Sequence, residues 1–71
     1  MLEAGKRYTV TETRCGQVER RFTARVDWIK DRGDHWYIGY TPDDYNVCRF
    51  GAVKVKKQGK YKVINYTFTT A

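Results

Sequence analysis

A small, mainly β domain is the fold class this sequence predicts: a single five-stranded antiparallel barrel or strongly bent sheet, with one short helix or 3₁₀ turn between strands three and four. Three observations predict it. Apolar residues recur at every second position in segments rich in Thr, Val, Tyr and Trp, as half-buried strands require. Single glycines at Gly5, Gly16, Gly33, Gly51 and Gly59 punctuate those segments where the chain must turn. At 71 residues, 41% hydrophobic and 15% aromatic, the chain can bury one core as a single domain, residues 1–71, with little room for an enclosed pocket.

The first strand is expected over Lys6–Arg14, with Tyr8 and Val10 on one face and Thr9, Thr11 and Thr13 on the other. The second, Glu19–Lys30, turns Phe22, Ala24, Val26 and Trp28 one way and Arg21, Thr23, Arg25 and Asp27 the other. The third, Asp34–Tyr40, has Trp36, Ile38 and Tyr40 on its apolar face. A three-residue loop of Asp31, Arg32 and Gly33, ending in a left-handed glycine, pairs Trp28 with Trp36, Val26 with Ile38 and Ala24 with Tyr40. All six then face the core. The turn also accounts for the integrin-like tripeptide Arg32-Gly33-Asp34.

Between strands three and four, Thr41 suits a helix N-cap, Pro42 the first helical position, Asp43 and Asp44 the positive end of the dipole, and Gly51 the residue past the end. Asn46, Val47 and Cys48 are weak helix formers, so a further strand is the alternative. Strands four and five are expected over Ala52–Lys56 and Lys60–Thr69. A loop of Lys57, Gln58 and Gly59 would place Val55 opposite Tyr61 and Val53 opposite Val63 inside, and Lys54 opposite Lys62 and Lys56 opposite Lys60 outside. Such a lysine ladder costs up to about 1 kcal/mol per opposed pair, which an anionic partner would relieve. The alternative is an ordinary solvated strand face. Ile64, Tyr66 and Phe68 have the opposite parity to Val63, so the last strand either bulges or is apolar on both faces. Its end packs under the first strand or exposes an aromatic surface.

Three strands, a helical turn and two strands is an order that resembles the small barrels of the oligonucleotide-binding (OB) fold, and an SH3-like barrel is nearly as similar. The resemblance covers the whole chain but lies in element order, not in any motif. It implies a compact β scaffold and no activity.

Charge points to a partner. Residues 1–44 carry eight basic and eight acidic side chains, whereas residues 45–71 carry Arg49, Lys54, Lys56, Lys57, Lys60 and Lys62 and no acid. The whole formal charge of +6 therefore lies in the last third, and a segregated basic surface concentrates and steers polyanions. Arg21 and Arg25 extend the basic set on the outer face of strand two, and Tyr37 supplies a ring able to stack on a base. In the expected register Arg25 lies opposite Gly39, leaving a dip beside Tyr37 for a base or sugar. Tyr37 as a plain cross-strand partner of Asp27 is the alternative. The expected function is non-enzymatic binding of DNA or RNA through phosphates, with low sequence specificity, by a monomer or weak dimer. One alternative is a phage- or mobile-element-type accessory module that binds an acidic protein, with Tyr61, Tyr66 or Phe68 as apolar anchor. Another is an assembly subunit that pairs through an open sheet edge.

Catalysis is not expected, and neither is a cofactor. His35 is the only histidine, serine is absent, and neither cysteine has a base nearby in sequence. Asp43 and Asp44 diverge around a helix start instead of facing one another, and no Gly-rich phosphate loop exists. Cys15 and Cys48 lack the companions a zinc site needs. Both are expected to be reduced and structural, because no apolar core of signal-peptide length opens the chain. No stretch approaches a membrane span, so a cytoplasmic location without a membrane partner is expected.

Overall fold

The computed structural model describes residues 2–46 and 49–71. Five antiparallel strands, β1 (Arg7–Arg14), β2 (Gln17–Asp31), β3 (His35–Pro42), β4 (Gly51–Lys56) and β5 (Ile64–Thr70), form one sheet in the order β4-β3-β2-β1-β5. Cys15 and Gly16 link β1 to β2, both left-handed at φ 51° and 82°, with Arg14 opposite Gln17. This is the two-residue hairpin turn whose twist matches that of the strands. Cys15 is exposed at its tip, whereas Cys48 lies outside the described residues.

A straight strand of 15 residues would span about 50 Å at roughly 3.3 Å per residue. The longest extent of the molecule is 28 Å, so β2 and the sheet around it are strongly bent. The concave side encloses Tyr8, Val10, Phe22, Ala24, Val26, Ile38, Tyr40 and Val53, with Leu2, Ile29, Trp36, Val55, Tyr66 and Phe68 packed against them. Barrel closure is not made: β4 and β5 are the two edges of the sheet. The open side leaves a groove of about 740 Å³, lined by Leu2, Tyr8, Ile29, Trp36, Phe68 and the end of β5.

Three expectations are corrected. The expected register of β2 on β3 fails along its whole length: Ala24 pairs with Pro42 instead of Tyr40, an offset of two residues that grows by one more at Asp27. Val26 pairs with Tyr40 but Trp28 pairs with Gly39, Ile29 with Ile38, Lys30 with Tyr37 and Asp31 with Trp36. Asp27 is the extra residue of a β-bulge, which turns every later side chain of β2 to the opposite face. Trp28, expected in the core against Trp36, is instead 37% exposed on the outer side. Gly33 does take the left-handed conformation (φ 92°), but the loop closes one step later, through Arg32 N–H donating to the His35 carbonyl.

Second, β4 and β5 form no hairpin. β4 pairs with β3, Val53 opposite Ile38 and Lys54 opposite Tyr37, while β5 crosses to the free edge of β1. There Phe68 lies beside Val10, Tyr66 beside Glu12, and Cys15 N–H donates to the Val63 carbonyl at 2.8 Å. This pairing buries the Tyr66 and Phe68 side of the strand and separates lysines that a hairpin would have opposed. Asn65 fixes the entry to β5, its side chain accepting from Tyr61 N–H at 2.7 Å and donating to the Tyr61 carbonyl at 2.8 Å.

Third, no helix forms among the described residues between β3 and β4. Thr41 and Pro42 belong to β3, Pro42 opposite Ala24, and Asp43 leaves any helix start to ion-pair with Arg7 of β1. Asp44 accepts from Asn46 N–H at 2.8 Å, closing a turn, while Val47 and Cys48 fall outside the described residues. Among the described residues no helix is long and apolar enough to cross a membrane.

One carboxylate shares the concave face. Glu12 is only 7% exposed, and Arg20 donates to it through Nε at 3.0 Å and Nη2 at 3.1 Å, while the Tyr66 hydroxyl donates at 2.8 Å. Three strands are thus tied by one acid. The Arg20 guanidinium holds the Glu12 carboxyl below the usual carboxylate range, with the Tyr66 hydroxyl adding to this and burial opposing it. A folded pKa below the unfolded one gives stability that is complete above the unfolded value and is lost as pH falls through the folded value. Glu12→Gln should therefore unfold in urea with about 2 kcal/mol less stability at neutral pH. It should also lose part of the wild-type decline in stability on acidification, and an unchanged acid dependence would remove Glu12 from that role.

Candidate nucleic-acid interface

The convex side of the sheet is the outward face of β2, β3 and β4. Cross-strand register lays out its rows: Arg7 beside Arg25 and Thr41, then Trp28 beside Gly39 and Ala52, then Lys30 beside Tyr37 and Lys54, then His35 beside Lys56. Tyr37 is therefore flanked on both neighbouring strands by lysine. Trp28 meets Tyr37 edge to face, with ring centroids 5.5 Å apart at 86°, and the Lys30 ammonium lies 5.1 Å from the indole centroid.

The dip expected at Gly39 is occupied. A Cβ on Gly39 would come within 2.1 Å of Trp28 Cε2, so the indole rests where any other side chain would stand. Only glycine admits this approach.

The acids near this face are already engaged. Asp27 accepts from the Thr41 hydroxyl and from Arg25 Nε at 2.8 Å, and these bonds, the Thr41 one foremost, hold its carboxyl below its usual range. At the β2–β3 loop Asp31 accepts from Lys57 Nζ at 2.7 Å and from Gly33 N–H at 2.9 Å, both lowering its pKa, Lys57 the more. Asp34 is lowered in the same way by its 2.8 Å contact with His35. Arg25 and Lys57 thus have carboxylate partners. Among the described residues no carboxylate lies within ion-pair distance of Lys30 or Lys54.

The sequence-predicted set divides. Tyr37, Lys54, Arg21 and Arg25 share the convex side, Arg21 Nε reaching the Thr11 hydroxyl at 3.3 Å. Lys56, at the end of β4, lies 4.9 Å over the Tyr61 ring. Lys57 sits 5.5 Å over Trp36 as well as on Asp31. Lys60 and Lys62 are exposed on the connection to β5, Lys60 beside the open side of the sheet, and Arg49 is exposed just before β4. The five lysines do not share one face. Trp28 and Lys30, both central to the convex face, were not among the candidates. The available signal was two adjacent apolar residues, Trp28 and Ile29, which break the period-two pattern where a bulge re-phases the strand.

The chain matches no protein-family model, no curated protein and no solved structure. Two cations without counter-ions, spaced across an aromatic ring, form a surface suited to an anionic ligand that also carries flat rings. Gly39→Ala tests the packing beneath it. The added methyl must expel the indole, so urea denaturation should show a loss of about 1–3 kcal/mol. Tryptophan emission should shift to the red, and a variant with unchanged stability and emission would refute the close contact.

Proposed function

We propose that this chain is a non-enzymatic nucleic-acid-binding domain that grips backbone phosphates with low sequence specificity. The observation that carries the reading is the row Lys30, Tyr37 and Lys54 on the convex face, two uncompensated cations on either side of a ring. Phosphate contacts supply affinity without sequence information, and a ring adds stacking that tolerates any base. In this reading the bent sheet is the scaffold. It is SH3-like more than OB-like, since the fifth strand returns beside the first and no helical turn precedes the fourth among the described residues.

The groove on the concave side favours a second reading, capture of an acidic protein segment. Trp36, Val55, Tyr66 and Phe68 offer apolar contact there, and Lys56 and Lys60 stand at the margin. Binding through that side would respond to Lys60 and leave Lys30 without effect.

If Lys30, Lys54, Lys56 and Arg21 each neutralise a phosphate, log K should fall with log salt with a slope of about −3 to −3.5. Affinity measured by fluorescence anisotropy should then drop roughly a hundredfold between about 50 and 200 mM salt. The double reversal Lys30→Glu and Lys54→Glu should lower affinity at least about tenfold and flatten the slope by about 2. Weak binding indifferent to salt and to the reversal would sink the proposal.

A further inference from the structure

The geometry points to single-stranded nucleic acid as the ligand of the convex face, with an unpaired base laid on Trp28 and the adjoining phosphates held by Lys30 and Lys54. The inference rests on the nucleic-acid reading above and narrows its ligand class.

The orientation of the indole carries it. A Cβ built on Gly39 would lie 2.1 Å from Trp28 Cε2, 2.3 Å from Nε1 and 2.6 Å from Cζ2. Cε2 is a ring-fusion carbon, and an approach to it in the ring plane would bring both outer neighbours closer than Cε2 itself. The observed order is the reverse, so Gly39 meets the flat of the ring. Trp28 therefore lies down on the β3 backbone with its opposite face turned outward, which explains how so large a side chain in mid-sheet remains 37% exposed. Tyr37, perpendicular to it, forms a wall at one side.

The Lys30 ammonium lies over the ring, 5.1 Å from its centroid. An exposed cation–π contact is worth about two- to fivefold in an equilibrium constant, whereas a base stacked on an aromatic side chain is worth about fivefold to a hundredfold. A base therefore displaces the ammonium. Lys30 stays tethered beside the base it has admitted, free to pair with that nucleotide's phosphate. Lys54 stands two strands across, about 10 Å away at the backbone, where it meets the phosphate of the continuing strand. Inside a duplex both faces of each base are covered by neighbouring pairs, so a flat platform gains contact only from an unpaired base.

The test is a titration with a short oligothymidylate and with a hairpin duplex of equal phosphate number at the same salt, followed by anisotropy and tryptophan emission. Wild type should bind the single strand at least about tenfold more tightly than the duplex, with quenching. Trp28→Ala, which removes the indole packed on β3, should melt below wild type yet stay folded at the assay temperature by far-ultraviolet circular dichroism, lose the preference and keep its duplex affinity; Trp36→Phe should retain the quenching. Equal or tighter duplex binding, or a single-strand preference that survives Trp28→Ala, overturns the inference and leaves the nucleic-acid reading standing. Binding to neither oligonucleotide removes the nucleic-acid reading itself.

Discussion

The bend in β2 imposes conditions on every residue that follows Val26. A regular strand would continue to send even-numbered side chains inward, which would place Trp28 and then Lys30 against the core. One extra residue at Asp27 reverses this, so that Ile29 packs inward and Lys30 reaches solvent. The bulge also leaves Asp27 itself on the outside, where Arg25 and Thr41 hold its carboxylate. Core composition, the exposure of Trp28 and the supply of an uncompensated lysine all follow from that single insertion.

The position of the convex site in the sheet gives it rigidity. Tyr37 and Gly39 lie on β3, which is paired on both sides, Trp28 lies where β2 is paired with β3, and beneath them Val26 and Ile38 are fully buried. A ligand surface on such elements is held more closely than one on a loop. Glu12 secures the other half of the sheet by drawing Arg20 and Tyr66 to one point, a polar knot where β1 sits between β2 and β5.

Much of this architecture was legible in the residue pattern. Alternation at Tyr8 and Val10, at Phe22, Ala24 and Val26, and at Trp36, Ile38 and Tyr40 identified the buried faces of β1, the first half of β2 and β3. Pairing partners were less legible because they depend on non-local choices. The Lys57-Gln58-Gly59 segment reads as a hairpin turn, yet the free edge of β1 offered Tyr66 and Phe68 better burial than β4 did. Capping signals at Thr41 and Pro42 were real local preferences, overridden when β3 extended far enough to set Pro42 opposite Ala24. Tyr37 and Lys54 could be singled out by type alone, but their adjacency, and the part played by Trp28 and Lys30, required the bulge.

The unclosed sheet has a further effect on how molecules of this chain meet one another. β4 and β5 each retain a row of unpaired backbone donors and acceptors, the kind of border along which strands of separate molecules can join. On β4 that border carries Lys54 and Lys56, so a second copy approaching edge to edge brings ammonium groups against ammonium groups. The charge proposed to hold phosphates therefore also opposes edge-to-edge association of the protein. Under the proposed function, a long polyanion that neutralised these lysines would remove that repulsion while gathering several copies along its length, coupling the colloidal behaviour of the protein to its ligand.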